Sequence, residues 1–179
     1  MSEKPGRYQS SAAGMIGAML VLLLIIGAYV AFRDLNRGEL EVEPERVDYL
    51  AAARFAQESD GATVVYPATV PDDWRATSLE SRPGDVWGIG FVSPDGFAGL
   101  LQSDDSTADL LETYVGEDVA EVGPVEIDGA TAPWQAYEDG GGDVGLLGEV
   151  DGEQVLVYGS VPAADLQGLA GSLTTEPIS

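Results

Sequence analysis

The chain has 179 residues, with 8 lysines and arginines against 31 aspartates and glutamates, and it contains neither histidine nor cysteine. A chain without these two residues cannot build a Ser-His-Asp or Cys-His triad or a Cys/His zinc site, so the commonest hydrolase and metalloenzyme designs are excluded. The formal charge of −23 repels phosphate backbones, so nucleic acid is excluded as a partner.

An uncharged, apolar stretch from residue 11 to residue 32 predicts a transmembrane helix. At about 1.5 Å per residue, its length matches a hydrocarbon core of about 30 Å. The exit from the stretch, Gly27 to Arg33, offers no Ala-x-Ala cleavage site. We therefore interpret it as an uncleaved anchor and not as a secretory signal peptide. Tyr29 and Arg33 are predicted to lie at the membrane interface.

The segments on either side of this stretch predict a single-pass protein of the cell membrane with a cytoplasmic N-terminus. Two basic residues precede the span and two follow it, and the free N-terminal amine adds positive charge to the leading side. Gly14 and Ala18, four apart in the span, leave a homodimer through the anchor open. The predicted organisation is a cytoplasmic tail (1–10), the transmembrane helix (11–32), a stalk (33–43), an extracytoplasmic domain (44–174) and a C-terminal tail (175–179).

The first predicted element of the domain is a helix that Pro44 opens and that Asp60-Gly61 ends. Its predicted apolar face repeats at spacings of three and four and consists of Val47, Leu50, Ala51 and Phe55. The next segment, ATVVYPATVP, is rich in β-branched residues, but its prolines place it at a sheet edge or in extended chain. A strand is predicted from Arg75 to Glu80.

Three hairpins are predicted from apolar runs that are separated by turn residues. The first joins residues 86–92 to 97–103 through SPDG, the second joins PVEI to ATAPWQAY through Asp128-Gly129, and the third joins VGLLGEV to EQVLVYGSV through Asp151-Gly152. The run from Val155 to Tyr158 is apolar on both faces. This pattern predicts a central strand that is covered on both sides.

Two further helices are predicted among these strands. Ser106 and Asp109 have the Ser-x-x-Asp spacing of a helix start. The last helix begins near Pro162 and places Leu166, Leu169, Ala170 and Leu173 on one stripe. The predicted fold class is α+β: an N-terminal transmembrane helix followed by one extracytoplasmic domain, in which helices pack on an antiparallel sheet of six or seven strands.

The strand 86–92 carries the candidate binding residues. Large side chains at Trp87, Ile89 and Phe91 alternate with Gly88 and Gly90, so one face of the strand is bulky and the other is nearly bare. Either something lies closely over the bare face, or it is open for a ligand. Trp87, Gly88 and Gly90 therefore form a candidate groove.

No metal, cofactor or catalytic residue is predicted. Three acidic groupings lack the Asp-x-Asp-x-Asp-Gly order of an EF-hand loop: Asp104-Asp105 with Asp109, Glu138-Asp139 with Asp143, and Asp151 with Glu153. The function that fits best is a non-enzymatic extracytoplasmic module that binds a partner protein or a cell-envelope ligand. Two alternatives stay open: a structural or assembly role carried by the membrane anchor, and a carboxylate-dependent hydrolase of envelope polymers.

The order of several segments carries a family resemblance. After the apolar span come YLAAARFA, VVYPATVPDDWRATS, an aromatic strand that closes on SPDGF, VEIDGATAPWQAY and LVYGSVPAADLQGLAGSL. This order resembles the actinobacterial membrane proteins classed as domain-of-unknown-function family 4245, most specifically in Pro67 to Arg75 and Tyr158 to Leu173. The resemblance implies one N-terminal span and carries over no activity or catalytic residue. In layout alone, the hairpins and final helix also resemble the outer domains of some anti-sigma factors and lipoprotein-carrier-like sensors.

Overall fold

A computed structural model describes residues 46–60, 63–82 and 86–178, together with helical positions 17, 19, 21–23, 25–27 and 29. The chain divides into two units, Met1–Glu43 and Pro44–Ser179. The predicted tail (1–10) and stalk (33–43) lie outside the described residues, and the predicted span (11–32) is described only in part. Among the residues that are described, no helix is both long enough and apolar enough to cross a membrane.

Within its described residues, the second unit contains a seven-stranded sheet in which every neighbouring pair of strands is antiparallel. In spatial order the strands are β2 (Arg75–Arg82), β3 (Val86–Ser93), β4 (Gly96–Ser103), β8 (Glu153–Gly159), β7 (Val144–Val150), β6 (Trp134–Glu138) and β5 (Ala120–Val125). Two short strands, β1 (Tyr66–Pro67) and β9 (Leu173–Thr174), pair separately. The predicted α+β class with an antiparallel sheet is confirmed.

Helices cover both faces of this sheet. The described part of the unit contains α1 (Tyr49–Asp60), α2 (Thr107–Tyr114) and α3 (Ala163–Gly171). Helices α1 and α3 pack on one face, where the main core forms, and its fully buried residues include Phe91, Leu100, Val157 and Leu166. Helix α2 packs on the opposite face, called here the α2 face, over a smaller cluster that includes Leu101, Leu110 and Leu156.

Strand β8 occupies the middle of the sheet, with three strands on each side. Val155 and Val157 contribute to the main core, while Leu156 contributes to the cluster under α2. All three side chains are fully buried. The central strand that was predicted from its two apolar faces is therefore confirmed.

The predicted hairpin turns are confirmed in two cases and wrong in part in the third. Asp151 and Gly152 both have positive φ, 52° and 89°, as a tight turn between twisted antiparallel strands requires. Strands β5 and β6 do pair, but residues 126–133 connect them in place of a two-residue turn. The reason is that Ile127 leaves the sheet and is buried in the main core.

Local capping explains where the helices begin. The Ser106 side chain accepts a hydrogen bond from the Asp109 backbone N–H over 3.2 Å at the start of α2, as predicted. Helix α1 begins at Tyr49, later than predicted, because the Asp48 carboxylate accepts from the Ala51 N–H over 3.0 Å. Val47 is held in extended chain, where its N–H donates to the Ala76 carbonyl oxygen over 2.9 Å.

The predicted apolar face of α1 is wrong. Phe55 is 70% exposed and Leu50 is also exposed, whereas Ala53 is fully buried. Tyr49 and small alanines face the sheet instead, and the Tyr49 ring meets the Phe91 ring edge-on at 5.7 Å between centroids. Small residues let the helix approach the sheet closely, so the residues that pack best in α1 are not its largest apolar ones.

Helix α3 largely follows the prediction. Pro162 is its N-cap, and Leu166, Leu169 and Ala170 are buried. Leu173, predicted on the same stripe, lies in β9. Strand β1 lies in the proline-containing segment that was predicted to be an edge or extended chain, and it pairs with β9 alone.

Candidate functional site

The predicted groove residues lie on opposite faces of β3. Trp87 belongs to the main core, where its indole N–H donates to the Val65 carbonyl oxygen over 2.9 Å. It is therefore a core residue and does not border the glycine face. Of the two residues predicted at the membrane interface, Tyr29 is helical and exposed, and Arg33 lies outside the described residues.

Gly88 and Gly90 are buried on the α2 face. A Cβ atom on Gly88 would lie 3.0 Å from the Leu101 side chain, and one on Gly90 would overlap the Ser78 hydroxyl group and lie 3.3 Å from the Phe97 ring. These contacts are tight for a Cβ atom, so the bare backbone of β3 is already covered by side chains from β2 and β4. The glycines are therefore covered closely by other side chains of this protein.

A row of glycines crosses the α2 face and makes room for aromatic rings. In the sheet register Gly90 pairs with Gly99, and Gly99 pairs with Tyr158. A Cβ atom on Gly99 would overlap the Tyr158 ring, which therefore lies directly over that glycine. The Phe97 ring lies beside Gly90, 3.3 Å from the position of a Cβ atom there. The absence of side chains on two strands thus allows large rings to lie against the backbone.

Three rings from different elements form what we call the aromatic surface: Phe97 of β4, Tyr114 of α2 and Tyr158 of β8. The ring centroids of Phe97 and Tyr158 are 5.8 Å apart, and those of Tyr114 and Tyr158 are 5.2 Å apart. These separations are favourable for aromatic pairs. Phe97 is 36% exposed and its cross-strand neighbour Val92 is 39% exposed. The surface is therefore partly open to solvent beside α2.

A carboxylate lies at one edge of the aromatic surface. The Tyr114 hydroxyl donates to Oε2 of Glu80 over 3.2 Å, and Nη2 of Arg82 donates to Oε1 of the same carboxylate over 2.9 Å. The side chains of Arg82 and Glu80 are 58% and 42% exposed. An ion pair exposed to this extent contributes little to stability. Glu80 is thus held beside the rings and still faces solvent.

The tyrosines of this surface are neutral at physiological pH. Burial raises the pKa of Tyr158 to about 12, with smaller contributions from Tyr114 and Glu80. Burial also raises the pKa of Tyr114, and the Glu80 carboxylate adds to this effect. A phenol with a raised pKa is a poor proton donor and a poor source of a nucleophile. The surface therefore offers ring faces, hydroxyl groups and a carboxylate, which are groups suited to binding.

A concave feature lies away from the aromatic surface, at the start of α1. It is a cleft of about 420 Å³ that is lined mainly by apolar side chains, among them Val47, Tyr49, Val70 and Trp74. Asp48 also borders the cleft, but its carboxylate already caps α1. The cleft lies beside the main core and involves none of the residues of the aromatic surface.

Residues of two acidic groupings noted in the sequence hold a turn and a helix start. Asp139 accepts hydrogen bonds from the backbone N–H groups of Gly141 and Asp143 over 2.9 and 2.7 Å. Asp109 accepts a hydrogen bond from the Ser106 hydroxyl over 2.6 Å at the start of α2. In the described parts of the chain, no three acidic side chains are grouped so that they could hold a metal ion.

Sequence reasoning did not identify Phe97, Tyr114, Tyr158 or Glu80 as site residues. They lie on four separate elements, and the strand register and α2 bring them together. One signal in the sequence could have found Phe97. Across the predicted hairpin Gly90 pairs with Gly99 and Val92 pairs with Phe97, so a ring diagonal to Gly90 was foreseeable.

Comparisons with known proteins place the chain in a family. No curated protein matches it. Two solved structures show a weak likeness, "Crystal structure of MucB in complex with MucA(peri)" (16% identity, TM-score 0.34) and "The complex structure of Pseudomonas aeruginosa MucA/MucB" (15% identity, TM-score 0.33). Each alignment covers 64% of this chain and only 38% and 36% of those chains, and likeness at such TM-scores carries no functional argument. The family described as "Protein of unknown function (DUF4245)" matches residues 7–173, and this protein belongs to that family.

Proposed function

We propose that this protein is a membrane-anchored, non-enzymatic module that binds a partner protein outside the cytoplasm through the aromatic surface. The observation that carries the proposal is the set of three rings at the edge of α2, in which Tyr158 contacts both Phe97 and Tyr114. Phe97 and Val92 are each more than a third exposed there. Aromatic side chains that are held rigid and partly exposed are typical anchors of protein interfaces.

The chemistry of the chain supports binding over catalysis. Histidine and cysteine are absent, and the single lysine, Lys4, precedes the domain. Histidine is the commonest general base, and cysteine and lysine are among the common nucleophiles. The titratable groups of the aromatic surface are two tyrosines with raised pKa values and the ion-paired Glu80 and Arg82. Their raised pKa values make the two tyrosines poor proton donors at neutral pH, whereas their rings and hydroxyl groups can still contact a partner.

The anchor and the location are supported by the sequence. Residues 11–32 are uncharged and apolar, which suits a membrane span. The domain that follows is poor in lysine and arginine, so positive charge does little to retain it in the cytoplasm. A module with this arrangement would meet its partner in the cell envelope or at the membrane surface.

Site-specific photo-crosslinking in living cells tests the proposal. Phe97 of the full-length chain is replaced by p-benzoylphenylalanine, and the matched control carries the same replacement at Phe55. Phe55 is 70% exposed on α1, which packs on the other face of the sheet. We expect a discrete protein adduct from position 97 and none from position 55, because the partner covers only the aromatic surface.

The captured protein, identified by mass spectrometry, then provides a quantitative test. Its purified form should bind the full-length chain, and Phe97→Ser should weaken that binding by about tenfold or more, the usual effect of losing an interface anchor. Phe55→Ser should leave the affinity unchanged. Equal adducts from the two positions would contradict the assignment of the surface. The lack of any protein adduct at position 97 would contradict a protein partner.

A further inference from the structure

The aromatic surface belongs to a domain with a strong excess of negative charge. From residue 38 to the C-terminus there are four arginines and 29 acidic residues, a formal charge of −25, and no basic residue follows Arg82. A field of this sign attracts cationic partners and repels anionic ones, and it acts over about 8 Å at physiological salt. Long-range electrostatics therefore selects for a partner of positive charge.

The local chemistry of the aromatic surface points to the same kind of partner. The faces of aromatic rings carry partial negative charge, and a guanidinium or ammonium group binds to them when it lies within about 6 Å. The Glu80 carboxylate lies beside these rings and bonds the Tyr114 hydroxyl over 3.2 Å. A carboxylate has about four acceptor positions, so its bonds to Tyr114 and Arg82 leave room for a further donor.

The chain itself shows how a guanidinium group binds at this edge. Nη2 of Arg82 lies 2.9 Å from Oε1 of Glu80, and both side chains are about half exposed. Because exposed ion pairs of this kind contribute little free energy, a guanidinium from a partner can share the carboxylate or displace Arg82. The exposed carbon atoms of Phe97 and Val92 lie on the same face of the sheet and suit apolar neighbours of that cation.

Other occupants fit these charges less well. A second copy of the domain would bring two acidic surfaces together, and a phosphate-bearing or uronic polymer would meet the same repulsion. A basic segment gains from the field, the carboxylate and the ring faces at once. We propose that the aromatic surface binds a basic segment of the partner protein, in which lysine or arginine side chains alternate with apolar ones. This inference rests on the proposed function and specifies its partner.

A peptide-binding experiment tests this inference. The probe is a fluorescent heptapeptide, Gly-Arg-Val-Arg-Val-Arg-Gly, and the matched peptides carry glutamine or glutamate in place of arginine. Fluorescence anisotropy measures their binding to the full-length chain in zwitterionic nanodiscs, with empty nanodiscs as the blank. We expect the arginine peptide to bind, the glutamine peptide to bind more weakly and the glutamate peptide not to bind.

Matched variants separate the aromatic surface from general charge attraction. Glu80→Gln and Phe97→Ser should each weaken binding of the arginine peptide by about 3- to 30-fold, the effect of losing a cation–π contact or a partly desolvated charge partner. The control variants Glu149→Gln and Phe55→Ser remove a carboxylate and a phenyl ring at positions outside the aromatic surface. They should change the affinity for the peptide less than about twofold. Glu80→Gln removes charge and leaves the ring packing in place, so the test stands even if Phe97→Ser impairs folding.

The outcomes distinguish this inference from the proposed function. If Glu149→Gln and Glu80→Gln weaken peptide binding equally, the peptide is held by general charge attraction and not by the aromatic surface. That result would overturn the inference. Tighter binding of the glutamine peptide would do the same. If the photo-adduct at position 97 maps to a neutral or acidic segment of the captured protein, the proposed function stands and the basic segment is wrong. An adduct that maps to a lysine- or arginine-containing segment supports both.

Discussion

At the scale of single residues, two buried tryptophans differ by one hydrogen bond. The indole N–H of Trp87 donates to the Val65 carbonyl oxygen over 2.9 Å, whereas Nε1 of Trp134 is buried without a hydrogen-bond partner among the described residues. Both rings belong to the main core, and both are less than a tenth exposed. The two tryptophans therefore form a matched pair: both are buried in the main core, but only the indole N–H of Trp87 makes a hydrogen bond in the described structure.

We predict that Trp87→Phe destabilises the protein more than Trp134→Phe. Both changes remove ring volume, but the first also leaves the buried Val65 carbonyl without this donor, which costs about 1–3 kcal/mol. The second removes a buried polar group that has no partner. Urea unfolding of the full-length variants measures the difference in the free energy of unfolding. Equal losses would show that the hydrogen bond of Trp87 contributes no net stability.

At the scale of elements, local chemistry made several features predictable. Positive φ values at Asp151 and Gly152 and the cap at Ser106 follow from a few neighbouring residues. The face of α1 and the path of Ile127 could not be predicted, because both depend on packing against segments distant in sequence. In α1 the pattern of large apolar residues indicated one face, and close approach to the sheet favoured the face with alanines.

Helix α3 provides a prediction at this scale. Gly168 lies inside the helix and is exposed, and a Cβ atom there would meet nothing within 4 Å. Gly168→Ala should therefore raise the free energy of unfolding by about 0.5–1 kcal/mol, the cost of glycine in a helix interior. Gly171→Ala is the control, because its Cβ atom would lie 3.1 Å from the Asp128 carbonyl oxygen. Chemical denaturation of both variants measures the effect, and a gain of the same size at Gly171 would contradict this account.

At the scale of the whole molecule, the aromatic surface depends on contacts that no local pattern contains. Strand β4 pairs with β8, which brings Tyr158 beside Gly99, and Tyr114 reaches Glu80 from 34 residues along the chain. The sequence predicted that β3 has a bare face and left open whether that face is covered. The predicted hairpin could have placed Phe97 beside the glycines, but only the order of the strands brings Tyr158 to the same place, so the aromatic surface as a whole was not predictable.

At the same scale, the proposed arrangement of the chain across a membrane can be tested directly because the sequence contains no cysteine. One variant carries Val122→Cys, at a position that is 65% exposed on β5, and the other carries Gln9→Cys, in the tail predicted to be cytoplasmic. A maleimide that cannot cross membranes should label Val122→Cys in intact cells. It should label Gln9→Cys only after the membrane is permeabilised, because the proposed span would hold the N-terminus inside.

The unsubstituted chain serves as the blank for this experiment, and a cytoplasmic protein with an accessible cysteine reports on cell integrity. Labelling of Gln9→Cys but not Val122→Cys in intact cells would reverse the orientation and place the aromatic surface among cytoplasmic partners. Protection of both cysteines would place both segments inside the cell and contradict the proposed span. The expected pattern, with Val122→Cys alone accessible, would direct the search for a basic partner to proteins exposed in the cell envelope.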